Sequence, residues 1–385
     1  MTSSPSSSSA QLRYRSVLVT GGLGFIGCRL AKRLASSHTD LQVSVLDEAT
    51  RPAATRELEA LGNVRVFRGD VSCVDFLKLV IRTRGCDAVV HLAAVTDCRV
   101  DNSLEFTRVN TIGTHVLLEV CCNLKVPKFV LVSTDAVYGT IRREASAAAA
   151  SGEGGERVRM VGAAAATEDA GPSRVLRENA LLDPTSPYAA AHAAAEMMTR
   201  AYHTSYAMDC NVVRLSNVYG PSQPPPRAVP QFILAVLNNL PVPIHGNGSG
   251  ERAYVHVDDA VSALAVVLAR GAPGEIYNCT STDARSACGL LDDVCDALGV
   301  EAGRVRRVHV RDRPFNDVRV AASGDKLKRL GWRQTIGWKE GLRDAVAWYA
   351  HDAERYWGKE QLEAMLRKVG SHATARDGGC DDADA

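Results

Sequence analysis

The chain has 385 residues, enough for two to three domains or for one large α/β unit with a full apolar core. Its 45 Lys and Arg residues balance 44 Asp and Glu residues, and the net charge of +1 argues against a nucleic acid or a membrane surface held by charge. The 11 Cys residues include no C-x-x-C pair and no Cys/His cluster at zinc spacing, so we expect reduced thiols, a cytoplasmic location and no bound metal.

Both ends of the chain are predicted to be disordered. The start, "MTSSPSSSSAQLRYR", holds no apolar stretch of signal-peptide length, and no run of about 18 apolar residues occurs in the sequence. We therefore expect a soluble protein with a tail over residues 1–12. Residues 358–385 are expected to complete a last helix and then form a second tail.

Strand-like and helix-like segments alternate over residues 13–218. In "RSVLVTGGLGFIGCRLAKRLA" a short apolar strand leads through glycines into a helix with apolar residues at helical spacing. Further strands are predicted in "LQVSVLDEAT", "NVRVFRGDV", "CDAVVHLAA", "KFVLVSTDAVYG" and "MDCNVVRLSNVYG", and a helix over residues 111–124. This alternation predicts an α/β fold with a doubly wound parallel sheet, the Rossmann architecture.

Two segments depart from this alternation. Residues 141–172 are low in complexity and rich in Ala, Gly and Glu, which predicts an exposed insertion in the first domain. After Tyr219 the chain changes to Pro-rich loops and shorter elements. We expect a smaller substrate-binding lobe there, over residues 219–357, interleaved with the first domain.

Three glycines, spaced three apart, join the first strand to the first helix. Gly21 permits a tight turn, Gly24 lets the backbone approach a pyrophosphate, and Gly27 lets helix and strand pack closely. Phe25 and Ile26 lie within the same turn. The helix N-terminus that follows favours phosphate charge, so the turn is predicted to bind a dinucleotide cofactor.

Acidic residues at the ends of the next two strands refine this prediction. Asp47 lies twenty residues after the last of these glycines, where a carboxylate can accept both ribose hydroxyls of NAD and repel the 2′-phosphate of NADP. Asp70, with Val71 beside it, can reach the adenine or serve only in a turn. The sequence therefore predicts NAD as the cofactor.

A Tyr followed by three small residues and a basic residue opens an Ala-rich helix at "SPYAAAHAAAEMM". Tyr188 and His192 are four residues apart and so share one face of the helix. This arrangement is typical of half of a catalytic pair, here with His as its basic member.

Together these residues resemble the extended short-chain dehydrogenase/reductases and, within them, the nucleotide-sugar 4,6-dehydratases that act on dTDP-glucose or UDP-glucose. The resemblance covers residues 15–357 apart from 141–172. It is carried by "VTGGLGFIG", "HLAA", "VNTIGTHVLLE", "STDAVYG", "SPYAAAHAAAE", "RLSNVYGPSQ", "LPVPIHGNGSGERAYVHVDDA" and "RDRPFNDVR". It implies an NAD-dependent lyase with a nucleotide-sugar substrate, and a homodimer formed through helices that include residues 111–124 and 188–203.

The resemblance also implies roles for the residues that match. In such dehydratases a Tyr takes the C4 hydroxyl proton while hydride passes to NAD, water then leaves across C5 and C6, and the hydride returns to C6. Tyr188 matches that Tyr, Thr134 a Thr that hydrogen-bonds the C4 oxygen, and Asp135 an Asp that protonates the departing C6 hydroxyl. Ala136 stands where the family has the Glu that takes the C5 proton.

Two further positions depart from the family's pattern. His192 stands where the family has a Lys that binds the nicotinamide ribose and favours the phenolate, and an imidazole is mostly neutral at neutral pH. It can still hydrogen-bond a ribose hydroxyl. In "HLAAVTDCRVDNS", Val95, Asp97 and Cys98 break the run that the family uses for sugar contacts. We therefore expect an impaired active site.

Other residues match the positions with which the family holds the sugar and the diphosphate, namely Ser133, Asn217, Arg252, Arg313 and Asn316. An Arg after a strand also commonly forms a surface ion pair worth under about 1 kcal/mol. His91, at a strand end, is expected to be structural.

Three functions remain open on these residues. The first is the dehydratase. The second is a silent homologue that binds NAD and a nucleotide sugar, favoured by Ala136, His192 and the altered loop. The third is a 4-epimerase, which tolerates Ala at position 136, although Asp135 and "RPFNDVR" speak against it.

Overall fold

A computed structural model describes residues 12–97, 102–139, 175–225, 227–310 and 321–374. The predicted insertion over residues 141–172 lies outside these ranges, as do residues 1–11 and 375–385 of the two predicted tails. Among the described residues, no helix is both long enough and apolar enough to cross a bilayer.

One parallel sheet forms the centre of the first domain. Strands are numbered along the chain, and those of this sheet are β1 (Ser16–Thr20), β2 (Gln42–Asp47), β3 (Val64–Arg68), β4 (Ala88–His91), β5 (Lys128–Thr134), β6 (Cys210–Leu215) and β10 (Ile276–Cys279). Their order is β10-β6-β5-β4-β1-β2-β3, with parallel pairing throughout. Every residue of β1, β4 and β6 is buried, as expected for strands covered on both faces. The predicted doubly wound sheet is confirmed.

Helices cover both faces of this sheet. On one face, α1 (Phe25–Ser37), α2 (Pro52–Glu59) and α7 (Val257–Arg270) share an apolar core with the sheet. On the other, α3 (Val74–Arg84), α4 (Thr114–Asn123) and α5 (Pro187–Tyr206) do so. The helix predicted over residues 111–124 begins earlier, because a π-helical turn, Phe106–Gly113, leads directly into α4.

The second lobe is built from two small sheets. Strands β7 (Asn217–Tyr219), β9 (Glu251–His256) and β11 (Ala284–Ser286) pair in the order β11-β9-β7, and β8 (Val242–His245) pairs with β12 (Arg307–Val310). Helices α6 (Ala228–Leu237), α8 (Ala287–Leu298), α10 (Trp338–His351) and α11 (Ala353–Trp357) pack around them. A short helix, α9 (Asp325–Arg329), lies against β10 instead.

The chain passes between the two lobes more than once. After β9, α7 and β10 return to the first domain before β11 continues the second lobe. The last helix, α12 (Lys359–Thr374), places Leu362, Leu366 and Val369 in the core of the second lobe. That core therefore extends beyond residue 357, where the sequence placed the end of the lobe.

The order of strands identifies where a ligand site is expected. Chain order reverses between β1 and its neighbour β4, and ligands of open α/β sheets bind outside the carboxyl ends of the strands at such a reversal. The glycine turn follows β1, Asp47 ends β2, and Thr134 ends β5. The fold thus brings the predicted cofactor and catalytic residues to one edge of the sheet.

Candidate active site

The glycine turn after β1 has a backbone that larger residues cannot reproduce. Gly21 has φ +66°, and a Cβ on it would lie 2.7 Å from the backbone nitrogen of Ala93. A Cβ on Gly27 would collide with the carbonyl oxygen of Gly21. Gly24 precedes the first residue of α1, so the helix N-terminus opens beside the turn. This is the close-packed turn that the spacing predicts, and a phosphate group fits its exposed backbone amides.

Asp47 lies next to the glycine turn. Its Oδ2 accepts a hydrogen bond of 2.9 Å from the amide of Leu23, and its Oδ1 accepts one of 2.9 Å from the amide of Ala49. Gly21 donates to the carbonyl oxygen of Leu46, directly before Asp47. The carboxylate therefore stabilises the turn itself and lies where a ribose beyond the turn would be held. Phe25 and Ile26 pack against the core beneath it.

Asp70 is held by neighbours at the end of β3. Burial acts to raise its pKa, but hydrogen bonds from Ser72 and Arg108 outweigh this and lower it. Arg108 donates to Asp70 at 3.1 Å and also pairs with Glu105 at 2.9 Å. The side chain of Val71 is buried in the apolar core. A contact of Val71 with a cofactor would therefore be made by its backbone.

The end of β5 carries the predicted dehydratase residues. Thr134 accepts a hydrogen bond of 3.2 Å from the amide of Ala136. This bond caps a 3₁₀ helix, Asp135–Tyr138. Asp135 is buried, with 9% of its surface exposed. The Ala136 methyl follows it, so the structure places no second carboxylate beside Asp135 at that position.

Tyr188 lies in the first turn of α5. Ser186 caps this helix by accepting from the amide of Ala189 at 3.2 Å, and Pro187 occupies the first turn, where its missing N–H costs nothing. The Tyr188 ring packs edge-on against Phe106, with 5.9 Å between ring centroids, and against His192 at 4.7 Å. Its position at the start of the helix is set by these contacts.

His192 is buried and uncharged. It is 5% exposed, and neither ring nitrogen has a hydrogen-bond partner among the described residues. Burial lowers its pKa to about 4. It therefore supplies no positive charge to Tyr188 at neutral pH.

His91 lies behind this pair and has a structural role, as the sequence predicted. Its Nδ1 lies 2.6 Å from the hydroxyl of Thr20 and its Nε2 lies 2.9 Å from that of Thr114. Burial, with His192 as a second cause, lowers its pKa to about 3. Both ring nitrogens are thus used to join β1, β4 and α4.

Comparison with known proteins identifies the family. Residues 17–280, well over half of the chain, match the model of the NAD dependent epimerase/dehydratase family. The chain belongs to this family. The match confirms the predicted resemblance to the extended short-chain dehydrogenase/reductases and NAD as the family's cofactor.

Individual relatives cover most of the chain. The trifunctional UDP-glucose 4,6-dehydratase/UDP-4-keto-6-deoxy-D-glucose 3,5-epimerase/UDP-4-keto-L-rhamnose-reductase RHM3 of Arabidopsis thaliana is 35% identical over 355 residues, 91% of this chain and 49% of that protein. This chain therefore spans about half the length of that relative. The dTDP-D-glucose 4,6-dehydratase of Homo sapiens is 32% identical over 355 residues, 90% of this chain and 93% of the human protein.

A solved structure supports the same assignment. The dTDP-glucose 4,6-dehydratase DesIV from Streptomyces venezuelae, with NAD and TYD bound, is similar with a TM-score of 0.76 and 33% identity, covering 89% of this chain and 98% of that chain. The similarity extends over both lobes of the present fold.

The side chain of Ser133 is bonded to helix α5. Its hydroxyl donates to Glu196 Oε1 at 2.6 Å, and the residue is 4% exposed. Neighbouring residues of a strand point to opposite faces, so Ser133 faces α5 while Thr134 ends the strand at the site. This bond uses the Ser133 hydroxyl as a donor, and the contact of Ser133 with the sugar stays a prediction.

The other predicted substrate residues of this family member lie in the second lobe or outside the described ranges. Asn217 is on β7 and donates to the carbonyl oxygen of Ala253 at 3.4 Å. Arg252 is on β9, in register with Arg285 of β11. Arg313 and Asn316 lie outside the described residues, as does Cys98 of the altered loop.

The loop that includes residues 95–97 is held by contacts that the sequence did not predict. Asn110, in the π-helical turn, accepts from the amide of Val95 at 2.7 Å and donates to its carbonyl oxygen at 3.0 Å. Arg227, at the start of α6, donates to the carbonyl oxygen of Thr96 at 2.9 Å. The second lobe is therefore in direct contact with the loop in which the family holds the sugar.

Among the described residues, no cluster of His, Cys, Asp and Glu is arranged to hold a metal ion.

Proposed function

We propose that the protein is an NAD-dependent nucleotide-sugar 4,6-dehydratase, acting on dTDP-glucose or UDP-glucose, with slow turnover. One observation carries the proposal. Thr134 and Asp135, at the end of β5, and Tyr188, at the start of α5, lie on elements that adjoin the edge of the sheet carrying the glycine turn, and the 3₁₀ helix that Asp135 begins packs against α5. The 32% identity to the human dTDP-D-glucose dehydratase over nearly its whole length supports this substrate class.

The residues present fit NAD. The glycine turn exposes backbone amides at a helix N-terminus, and Asp47 ends the neighbouring strand with a carboxylate that would repel a 2′-phosphate. The ring nitrogens of His192 are buried and have no hydrogen-bond partner among the described residues, so a nicotinamide ribose that reached them would supply one. When bound, NAD would accept a hydride from the sugar and later return it.

Side chains of this protein would carry out the proton transfers of the reaction. Tyr188 takes the proton of the C4 hydroxyl, and Thr134 hydrogen-bonds the C4 oxygen as it becomes a ketone. Asp135, buried beside Ala136, gives a proton to the C6 hydroxyl as it leaves. Position 136 has no carboxylate, so the C5 proton would have to pass to a weaker base such as water, and elimination is the step expected to be slowest.

Incubation of the purified protein with NAD and either nucleotide sugar tests this proposal. A 4-keto-6-deoxy product, identified by mass spectrometry and NMR, supports the dehydratase. A galactose product would instead indicate a 4-epimerase, which Ala136 favours. Binding of NAD and nucleotide sugar without turnover would indicate a silent homologue, which the neutral His192 and Ala136 together favour.

We also propose a homodimer formed through the face of the π-helical turn and α5. Ile112 and Met197 expose 51% and 58% of their surfaces on these helices, and Tyr206 exposes 62%. Burial of such side chains by a second copy would be favourable. Sedimentation velocity should show a dimer, and Met197→Glu should weaken it. A monomer at micromolar concentration would exclude the proposal.

A cytoplasmic location is proposed from the thiols. The nine cysteines within the described ranges are all free, as expected in a reducing compartment. Fractionation of the source cells tests this proposal, and recovery outside the cytoplasm would contradict it.

A further inference from the structure

A buried polar cluster lies beneath the candidate active site. It consists of Glu196 on α5, Arg214 on β6, Ser133 on β5, Tyr138 in the 3₁₀ helix and Asn278 on β10. Glu196 and Arg214 expose 0% and 2% of their side chains and pair at 2.6 Å. Both guanidinium edges are used, since Arg214 Nε also donates to Glu196 and Nη1 donates to the hydroxyl of Tyr138 at 2.7 Å.

The cluster is fully paired at its centre. Burial alone would lower the pKa of Arg214, but hydrogen bonding to Glu196 and the charge of Glu196 raise it above the usual value, so the guanidinium stays charged. The Tyr138 hydroxyl donates to Asn278 Oδ1 at 2.8 Å, and Asn278 Nδ2 donates to the carbonyl oxygen of Ser323 at 3.1 Å. A buried network with satisfied partners holds its members in one geometry.

The cluster connects the two elements that carry the reacting groups. Ser133 directly precedes Thr134, and Tyr138 ends the 3₁₀ helix that Asp135 begins, so members of the cluster flank the Thr134–Asp135 segment along the chain. Glu196 is on the same helix as Tyr188, eight residues or about 12 Å further along. The distance between Asp135 and Tyr188 thus depends on this cluster.

We propose that Tyr138 is a positioning residue for the reaction, whose hydroxyl fixes the 3₁₀ helix on the Glu196–Arg214 pair and so sets Thr134 and Asp135 relative to Tyr188. Tyr138 is 6% exposed, and among the described residues its hydroxyl bonds only to Arg214 and Asn278 of the cluster. It acts through Thr134 and Asp135 and does not itself meet the sugar. This inference rests on the proposed dehydratase function.

Tyr138→Phe tests the proposal, because it removes one hydroxyl and keeps the ring that packs over Arg214 at 4.6 Å. We expect kcat to fall between about 10-fold and 100-fold, as for a small misplacement of reacting groups, with KM for the nucleotide sugar changed less than twofold. Backbone amides of residues 136–139 should exchange hydrogen faster, since their hydrogen bonds form within this turn.

Tyr202→Phe is the matched control. Tyr202 is on the same helix, 5% exposed, and donates to Glu119 at 2.6 Å, but it lies fourteen residues or about 21 Å beyond Tyr188. It should leave kcat and exchange at residues 136–139 unchanged. An equal loss of kcat in the control would show a general effect of losing a buried hydroxyl and would overturn the proposal.

The remaining outcomes are also decisive. Unchanged kcat in Tyr138→Phe, or a rise in KM at constant kcat, would overturn the positioning role. If the unmodified protein shows no turnover, the proposed function fails, and hydrogen exchange alone decides: unchanged exchange at residues 136–139 overturns this inference. If Tyr138→Phe does not fold, Ser133→Ala removes a hydroxyl of the same cluster and is expected to give the same loss of kcat, with the same criteria.

Discussion

Returning a positive charge to position 192 tests why turnover is expected to be slow. The rings of Tyr188 and His192 are 4.7 Å apart, and burial holds the pKa of His192 to about 4. With that separation, a unit charge would stabilise the phenolate by at most about 3.5 kcal/mol at an effective dielectric constant of about 20, or about 2.6 pKa units. Because Tyr188 is partly exposed, water screens part of this, and we expect His192→Lys to speed the hydride step about 10-fold to 100-fold.

Elimination should still limit this single variant, because position 136 has no carboxylate to take the C5 proton. Ala136→Glu supplies one beside Asp135, and the two changes together should raise turnover by more than the product of their separate effects. The assay is the rate of 4-keto sugar formation by the unmodified protein, both single variants and the double variant. His192→Gln, which stays neutral, is the control and should give no gain.

Two results would refute this reasoning. Brisk turnover by the unmodified protein would mean that another group, such as Asp97 or Asp135, serves as the elimination base. A double variant without activity would mean that the altered loop over residues 95–101 no longer binds the sugar. That result would favour the silent homologue.

Three other predictions concern the cofactor and acid stability. Asp47→Asn keeps an acceptor for the Leu23 amide and should mainly narrow the preference for NAD over NADP. Asp47→Ala should also weaken the binding of NAD. Equal affinity of the unmodified protein for both cofactors would contradict this prediction. Gly27→Ala should weaken NAD binding in calorimetry, since its methyl would displace the turn, and unchanged affinity would exclude that geometry. The pKa values of His91 and His192, about 3 and about 4, lie below the usual value of about 6.5. The free energy of unfolding should therefore be highest above about pH 6.5. It should fall towards pH 4 with a slope of up to about 2.7 kcal/mol per pH unit. Denaturant unfolding at several pH values measures this slope, and His192→Gln should reduce it by about half. An equal slope in both proteins would contradict the attribution of this pH dependence to His192.

Much of the fold could be predicted because its signals are local. Each strand of the parallel sheet is a short apolar run, and each helix between them repeats apolar residues at helical spacing. The last helix was expected to complete the chain outside the second lobe, although Leu362, Leu366 and Val369 already follow helical spacing. What the pattern did not show is the surface of the second lobe that this helix covers.

The site was predictable where a residue's role follows from its place along the chain. Gly21, Asp47 and Tyr188 each stand at the end of a strand or the start of a helix, and the sheet brings such ends together. The bond from Ser133 to Glu196 was not predictable in this way, because sequence alone does not say which face of β5 meets α5. The pairing of Glu196 with Arg214 joins a helix to a strand, although a lone Arg among the apolar residues of "NVVRLSN" was a signal for it.

Two of the departures from the family's pattern, at His192 and Ala136, oppose each other in charge, and this decides whether binding or chemistry at the site should be weakened. Relative to that pattern the chain lacks one cation, at His192, and one anion, at Ala136, so the net charge near the reacting atoms is the same at neutral pH. Attraction of a diphosphate depends on that net charge over several ångströms, whereas each proton transfer depends on one group in contact. Binding of NAD and nucleotide sugar should therefore persist while chemistry slows. The double variant should accordingly raise kcat and leave both dissociation constants within a few-fold of their original values, a combination that an increase in affinity alone would not produce.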